Sequence, residues 1–263
     1  MTDLAEKYGP WAVVTGASSG LGSHFARQLA AMGFNLVLSA RRRERLEQLA
    51  ANLQADHQVQ CRVIALDLSL EGAAPELASQ TGKLDVGLLV NNAGLGYYGR
   101  FLDQDPTRHE KMIRLNCIAP AFLAHHFLNR FRERECGAMV LVASTAAYQP
   151  TPYMGLYGAT KGFDLLLGES LSQEMQGSGV DIQVLSPGAT LTEFQESAGG
   201  APHGGADPAS VVRSSLSSLG RKRAVVPGLG NKCQVWANRL FPRRFVTAMA
   251  ARVLSRFAFK PDS

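Results

Sequence analysis

The sequence has little of what marks several function classes. Its 263 residues include four cysteines, Cys61, Cys117, Cys136 and Cys233. They are scattered, with no C-x-x-C pair and no histidine at ligand spacing. No metal site is expected, and the thiols read as the reduced cysteines of a cytoplasmic protein. No apolar run is long enough to span a bilayer, and the start lacks a charged segment leading into an apolar one. Neither a membrane helix nor a secretory leader is expected. Acidic residues are missing from one stretch: Pro208 to Pro261 holds eleven Lys or Arg and no Asp or Glu. The remainder holds sixteen basic and twenty-two acidic residues, so a body near −6 meets a tail near +11. No nucleic-acid recognition element accompanies the basic tail, so specific nucleic-acid binding is not expected. Hydrophobic residues make up 46% and charged residues 19%, an ordinary balance for one well-buried domain.

What is present is a series of short apolar strands, each followed by a helical pattern. Trp11–Thr15, Asn35–Ser39, Cys61–Leu66, Val86–Val90, Ala138–Ala143, Val180–Leu185 and Ala224–Pro227 read as strands. Their alternation with helices predicts an α/β fold, a Rossmann-like, doubly wound parallel sheet of about seven strands, with ligands at the strand C-termini. The first strand runs into Gly16-Ala-Ser18-Ser19-Gly20-Leu21-Gly22 and then a helix. Glycines there let backbone N–H groups approach a phosphate, and the helix N-terminus favours negative charge. A carboxylate near the end of the second strand would take the ribose hydroxyls of NAD. Here that carboxylate is missing, and the chain reads Ala40-Arg41-Arg42-Arg43. Cations at a helix start oppose the macrodipole, so an anion is the better explanation. Arg41, with Arg42 second, is read as the partner of the 2′-phosphate of NADP(H), with Ser39 adding a hydroxyl.

Other strand ends carry polar residues. Asp67-Leu68 follows the third strand, where Asp67 either meets an adenine amino group or caps the next helix. Asn91-Asn92-Ala93-Gly94 ends the fourth, its small pair leaving room for a flat ligand. Asn116 lies in a long helix, about Thr107 to Glu133, that Pro120 must disturb. Ser144 ends the fifth strand. Tyr157 and Lys161, four residues apart, share a face at the start of the next helix. An ammonium beside a phenol favours the phenolate; at ~4 Å and an effective dielectric of ~20 the interaction is roughly 4 kcal/mol. That moves a pKa by up to ~3 units, toward the working range of a proton-transfer group. Ser186-Pro187-Gly188-Ala189-Thr190-Leu191-Thr192 follows the sixth strand, and Glu193–Asp207 reads as a mobile, lid-like loop.

Taken together, these motifs resemble the short-chain dehydrogenase/reductase family over roughly Trp11 to Gly228. The matches are Thr15–Gly22, Asp67-Leu68, Asn91–Gly94, Asn116, Ser144, Tyr157-x-x-x-Lys161 and Pro187-Gly188 with Thr192. The resemblance implies Tyr157 as the general acid or base, Ser144 stabilising charge on the substrate oxygen, and Lys161 lowering the Tyr157 pKa while holding the nicotinamide ribose. Asn116 would hold a relay water. Gly16, Ser18, Ser19, Gly20 and Leu21 would surround the pyrophosphate and adenosine. Asn91, Ala93 and Gly94 would line the cofactor, and Pro187, Gly188, Thr190 and Thr192 the nicotinamide. The implied activity is NADP(H)-dependent reduction of a ketone or aldehyde, with a homodimer or homotetramer expected. The Leu36–Arg45 run and the tail are similar to reductases of fatty-acyl and steroid-like carbonyls, so a lipophilic substrate is expected. Leu95, Tyr97, Tyr148, Pro150, Tyr153, Met154 and Phe194 are its candidate contacts.

The division expected is a catalytic domain over 1–228 and a basic amphipathic helical extension over 229–263. Two helices, Asn231–Phe241 and Arg243–Phe257, leave three readings open: packing on the body, covering the substrate pocket, or peripheral contact with anionic lipid. Alternatives in function are an alcohol dehydrogenase working in the oxidising direction, with NAD or NADP, and an NADP-binding sensor without turnover.

Overall fold

In the computed structural model, which describes residues 4–200 and 204–259, every strand of the sheet is parallel to its neighbours. The chain runs α1 (Leu4–Tyr8), β1 (Trp11–Thr15), α2 (Gly20–Ala31), β2 (Asn35–Ala40), α3 (Arg43–His57), β3 (Cys61–Ala65), α4 (Ala73–Gln80) and β4 (Val86–Asn91). It continues through α5 (Pro106–Ile113), α6 (Ala119–Glu133), β5 (Gly137–Val142), α7 (Gly155–Glu174), β6 (Val180–Leu185), α8 (Phe194–Ser197), α9 (Pro208–Leu216), β7 (Ala224–Val225), α10 (Leu229–Leu240) and α11 (Arg243–Ala258). The strand order is β3-β2-β1-β4-β5-β6-β7. The order reverses between β1 and β4, and a crevice opens there at the strand C-termini.

Strand periodicity explains the two cores. Ala12, Val14, Leu36, Leu38, Leu88 and Val90 face one side, packed with Phe25 and Leu29 of α2 and Leu46 of α3. Val13, Val37, Leu89, Met139 and Leu141 face the other, packed with Leu77 of α4 and Phe127 and Phe131 of α6. β4 and β5 are buried along their whole length, as befits central parallel strands covered on both faces.

Three details depart from the sequence-based reading. α1 was not anticipated; it is anchored by the fully buried Tyr8, whose hydroxyl donates to Asp181 Oδ2 at 2.7 Å. The expected helix over 107–133 is interrupted by a π-helical turn, Arg114–Ile118, in which the Ala119 N–H bonds to Arg114 O. Pro120 has no N–H to give Asn116 O, so the ordinary ladder cannot form there. The 193–207 stretch contains α8, and a bridge between Thr190 and Ala206 ties its far end back. Ala201, Pro202 and His203, within that expected mobile loop, lie outside the described residues, as do Lys260–Ser263 of the tail. Among the described residues no helix is long and apolar enough to cross a membrane.

Candidate active site

The loop after β1 is tight because its glycines are required. Gly16 and Gly20 have φ of +67° and +53°, a region L side chains avoid. A Cβ on Gly22 would lie 2.2 Å from Gly16 O. Behind the loop, Thr15 Oγ1 accepts from the N–H groups of Asn92 and Ala93, both at 3.0 Å. The Asn92 amide donates to Thr15 O at 2.8 Å. The ends of β1 and β4 are thereby locked together at the crevice.

One cavity of about 840 Å³ runs along these strand ends. Gly16, Ser18, Ser19, Gly20 and Leu21 line one part of it, with Arg41, Arg42, Asp67 and Leu68. Ala93, Gly94 and Leu95 line it too, as do Pro187, Gly188, Thr190 and Thr192, with Thr192 against Gly20. Ser144, Tyr157 and Lys161 face the same space, with Tyr97, Met154 and Phe194. The basic end is organised by Arg42, which donates to Ser19 Oγ at 2.8 Å and Ser18 Oγ at 3.2 Å. It also pairs with Glu193 at 2.9 Å, and Arg45 pairs with the same carboxylate at 2.6 Å. Asp67 does not cap the next helix, because α4 starts at Ala73 with Gly72 at its N-cap. It lines the cavity, and its Oδ1 accepts from the Ser69 N–H and Oγ at 3.1 and 2.6 Å.

Four expected site residues sit elsewhere. Asn91 donates its amide to Pro120 O at 3.2 Å and braces α6 rather than lining the cavity. Tyr148 pairs its hydroxyl with Ser186 Oγ at 3.4 Å, away from the cavity. Tyr153 has φ of +67° and packs its ring edge-on to Phe259, 5.0 Å between centroids. Pro150 is likewise absent from the cavity wall. Tyr148 packs inward on Ala143, Leu165 and Val184, beyond the 3₁₀ turn Thr145–Tyr148.

Asn116 is fully buried and lies behind the wall. Its Oδ1 accepts from Leu95 N–H at 3.0 Å, while its Nδ2 donates to Leu95 O at 2.8 Å and Thr160 Oγ1 at 2.9 Å. It thus clips the Asn92–Leu95 loop to α7. Replacing it with Ala leaves both Leu95 groups unpaired, at about 1–3 kcal/mol each. Thermal unfolding of Asn116→Ala should begin several degrees lower, at about 2–4 °C per kcal/mol. An unchanged melting curve would exclude the clip.

Lys161 donates to Val142 O at 2.8 Å and to Asp164 Oδ2 at 2.9 Å. Burial pulls the ammonium's pKa down, but Asp164, with Tyr157 and Cys117, more than offsets this and it ends above the ordinary lysine value. Burial pushes the Tyr157 phenol up, against the downward pull of Lys161 and of the Ser144 hydroxyl. The expectation of a phenol brought into the working range by Lys161 alone omitted both burial and Asp164. Ser144 Oγ accepts from Ala146 N–H at 3.1 Å. Its own donation, to Pro187 O, is long at 3.5 Å. Phe194 lies over Tyr157, with ring centroids 5.3 Å apart, and a Cβ on Gly96 would strike both rings.

The geometry matches what comparison finds. Residues 10–201 match the family model described as short chain dehydrogenase. The chain belongs to that family. A 7beta-hydroxysteroid dehydrogenase of Collinsella aerofaciens is 34% identical over 240 residues, 89% of this chain and 91% of that one. A very-long-chain 3-oxoacyl-CoA reductase of Podospora anserina is 33% identical over 91% of this chain and 67% of its own length. A solved short-chain dehydrogenase from Sphingobium yanoikuyae, in complex with NADPH, has TM-score 0.81 and 30% identity, covering 97% of this chain and 98% of that one. This short chain dehydrogenase is therefore an oxidoreductase on a Rossmann-like scaffold.

Several side chains of this member escaped the sequence reading. Thr160 and Glu193 lie next to expected residues and carry no signal by themselves. Asp164 does carry one: an acid between Phe163 and Leu165 on an otherwise apolar stretch, three residues after the lysine.

The tail lines one side of the cavity. Asn231 donates to Pro227 O at 2.7 Å and packs on Gly188, where a Cβ would lie 2.4 Å from its Oδ1. Asn238 donates to Gln149 Oε1 at 2.6 Å. Val235, Val246 and Ala250 are buried. Phe241, Phe245, Met249 and Val253 line the cavity while remaining partly exposed.

Proposed function

We propose that the chain uses NADPH to reduce a ketone or aldehyde on a lipophilic substrate, reversibly. One observation carries this reading: Ser144, Tyr157 and Lys161 face a cavity that is arginine-lined at one end and covered by apolar side chains of α10 and α11 at the other. The residues suit the dinucleotide. Gly94 lacks a Cβ where one would come within 3.4 Å of Lys161 Nζ, leaving a flat shelf beside the ammonium. Arg41 and Arg42 give the 2′-phosphate its counter-charge, and the Gly16–Gly22 loop suits the pyrophosphate.

When bound, NADPH supplies the hydride. Ser144 donates its weakly engaged proton to the substrate oxygen, steadying the charge that develops there. Tyr157 gives that oxygen its proton. Lys161, kept cationic, favours the phenolate left behind and returns a proton toward it. Asn116 and the π-helical turn hold the water expected on that path. Oxidation of an alcohol is the same sequence reversed. The two relatives support a lipophilic substrate, since a hydroxysteroid and a very-long-chain 3-oxoacyl-CoA both present extended apolar bodies. Exposed Ile118 and Phe122 from the α6 side, with Phe163 and Leu166 on α7, support a homo-oligomer joined through these helices.

Titration of the protein with NADPH and NADH by fluorescence, then a panel of ketosteroids, 3-oxoacyl thioesters and bulky aryl ketones, tests the reading. Tighter NADPH binding with turnover of apolar ketones is the expected result; NADPH binding with turnover of none favours a sensor. The cover is tested separately. Phe241→Ala combined with Phe245→Ala should raise KM for the turned-over ketone by about 10–100-fold, because each ring is about half exposed and contributes about half of the ~1.5–3 kcal/mol of a fully buried aromatic. kcat should stay near the parent value, because the contact is equal in ground and transition states. An unchanged KM would return the tail to simple packing.

A further inference from the structure

Asp164 does not behave like a packing residue. It is 3% exposed, on a stretch of α7 that otherwise presents Leu165 to the sheet. Its Oδ2 holds Lys161 Nζ at 2.9 Å, and both side chains are almost closed to solvent, at 6% and 4%. Its Oδ1 has no hydrogen-bond partner among the described residues. Burying a carboxylate is costly unless it compensates another charge, and an apolar residue of similar size generally packs as well or better. The cost here is incurred beside the lysine that lines the cavity next to Tyr157.

Geometry gives Asp164 a second effect. An ammonium has three donors. Val142 O and Asp164 Oδ2 take two of them from opposite elements, β5 and α7. The third is thereby fixed in direction.

We propose that Asp164 is the buried counter-ion of the Tyr157–Lys161 pair: a positioning residue that aims the Lys161 ammonium and sets the pH at which Tyr157 releases its proton. This rests on the reading of Tyr157 as the proton-transfer group. The titratable groups facing Asp164 are Lys161 and Tyr157 on its own helix and Cys117 from the π-helical turn. β5 contributes the Val142 carbonyl. Removing one negative charge makes proton loss easier from every one of these groups. The sign of the effect is therefore the same whichever of them is observed.

The test needs no substrate. The full-length protein is labelled with tyrosine carrying 13C at Cζ, and its six tyrosines are followed by NMR against pH, with Tyr157→Phe assigning the signal. In Asp164→Asn the Tyr157 midpoint should fall by about one unit or more, the scale of one nearby charge, while the other tyrosines hold still, apart from Tyr98, whose phenol feels the charge on Tyr157. A Tyr157 midpoint equal in the two proteins, or absent from both below about pH 11, overturns the proposal. If Asp164→Asn does not accumulate folded, Asp164→Ser, which leaves room for water beside Lys161, takes its place in the same comparison. A purely structural role would lower the melting temperature without moving the midpoint. Full turnover by Tyr157→Phe would instead sink the reading of the site and leave the titration result standing.

Discussion

Tyr157→Phe should lose turnover by about 10²–10⁴-fold, the range a positioned proton donor contributes, while NADPH binding stays close to the parent value. The asymmetry follows from where the hydroxyl lies. The phenol is a single group on the cavity wall, and the residues proposed to hold the cofactor come from five strand ends that do not depend on it. The ring remains to pack against Phe194. The loss should fall on kcat and kcat/KM alike, because the proton moves only as the transition state forms. pH gives an independent sign. Reduction needs the protonated phenol, so its rate should hold at low pH and decline as pH passes the phenol's pKa; oxidation should rise over the same interval. Burial raises that pKa above the ordinary tyrosine value in the structure. Reduction should therefore persist well into alkaline solution. A variant with full activity, or a profile that declines on the acid side, would exclude Tyr157 as the donor.

The sheet was legible because its strands are short apolar runs that alternate with helices, and parallel strands buried on both faces read almost without interruption. Six of the seven strands lie within one residue of where the pattern placed them; β7, only Ala224–Val225, is two residues shorter than read. The glycine loop was legible because its glycines answer a backbone demand that no other residue meets. What escaped was set by side-chain direction. Tyr148, Pro150 and Tyr153 stand between two catalytic segments in sequence, yet a 3₁₀ turn and a positive φ rotate them away from the cavity. Asn91 ends β4 and Asn92 follows it, and their side chains part; one braces α6 and the other faces the crevice. Asp164 was visible as a misplaced acid, but its role required knowing that α7 lays that face against β5. The tail's three readings could not be separated by composition, since basic residues with interspersed aromatics suit all of them. Only the seat of Asn231 on Gly188 and of Asn238 on Gln149 puts its apolar face over the cavity.

Arg42→Ala should weaken NADPH binding by about 10–100-fold and leave NADH nearly unchanged. A hydrogen bond to a charged group contributes ~1.5–3 kcal/mol, and ~1.4 kcal/mol is a factor of ten. The guanidinium is already assembled for an anion: Ser18 and Ser19 hold it over the glycine loop, and Glu193 supplies a carboxylate on its other side. That carboxylate marks the kind of group the site accepts, and a 2′-phosphate would meet it as a competitor. Glu193→Gln should accordingly tighten NADPH relative to NADH. Arg41→Ala provides the comparison. Arg41 lines the same end of the cavity and acts electrostatically on Asp67, so it too should favour NADPH. If either arginine substitution weakens the two cofactors equally, the arginines supply general attraction to a dinucleotide rather than recognition of the 2′-phosphate. The missing carboxylate after β2 would then have to be explained by some other contact to the ribose.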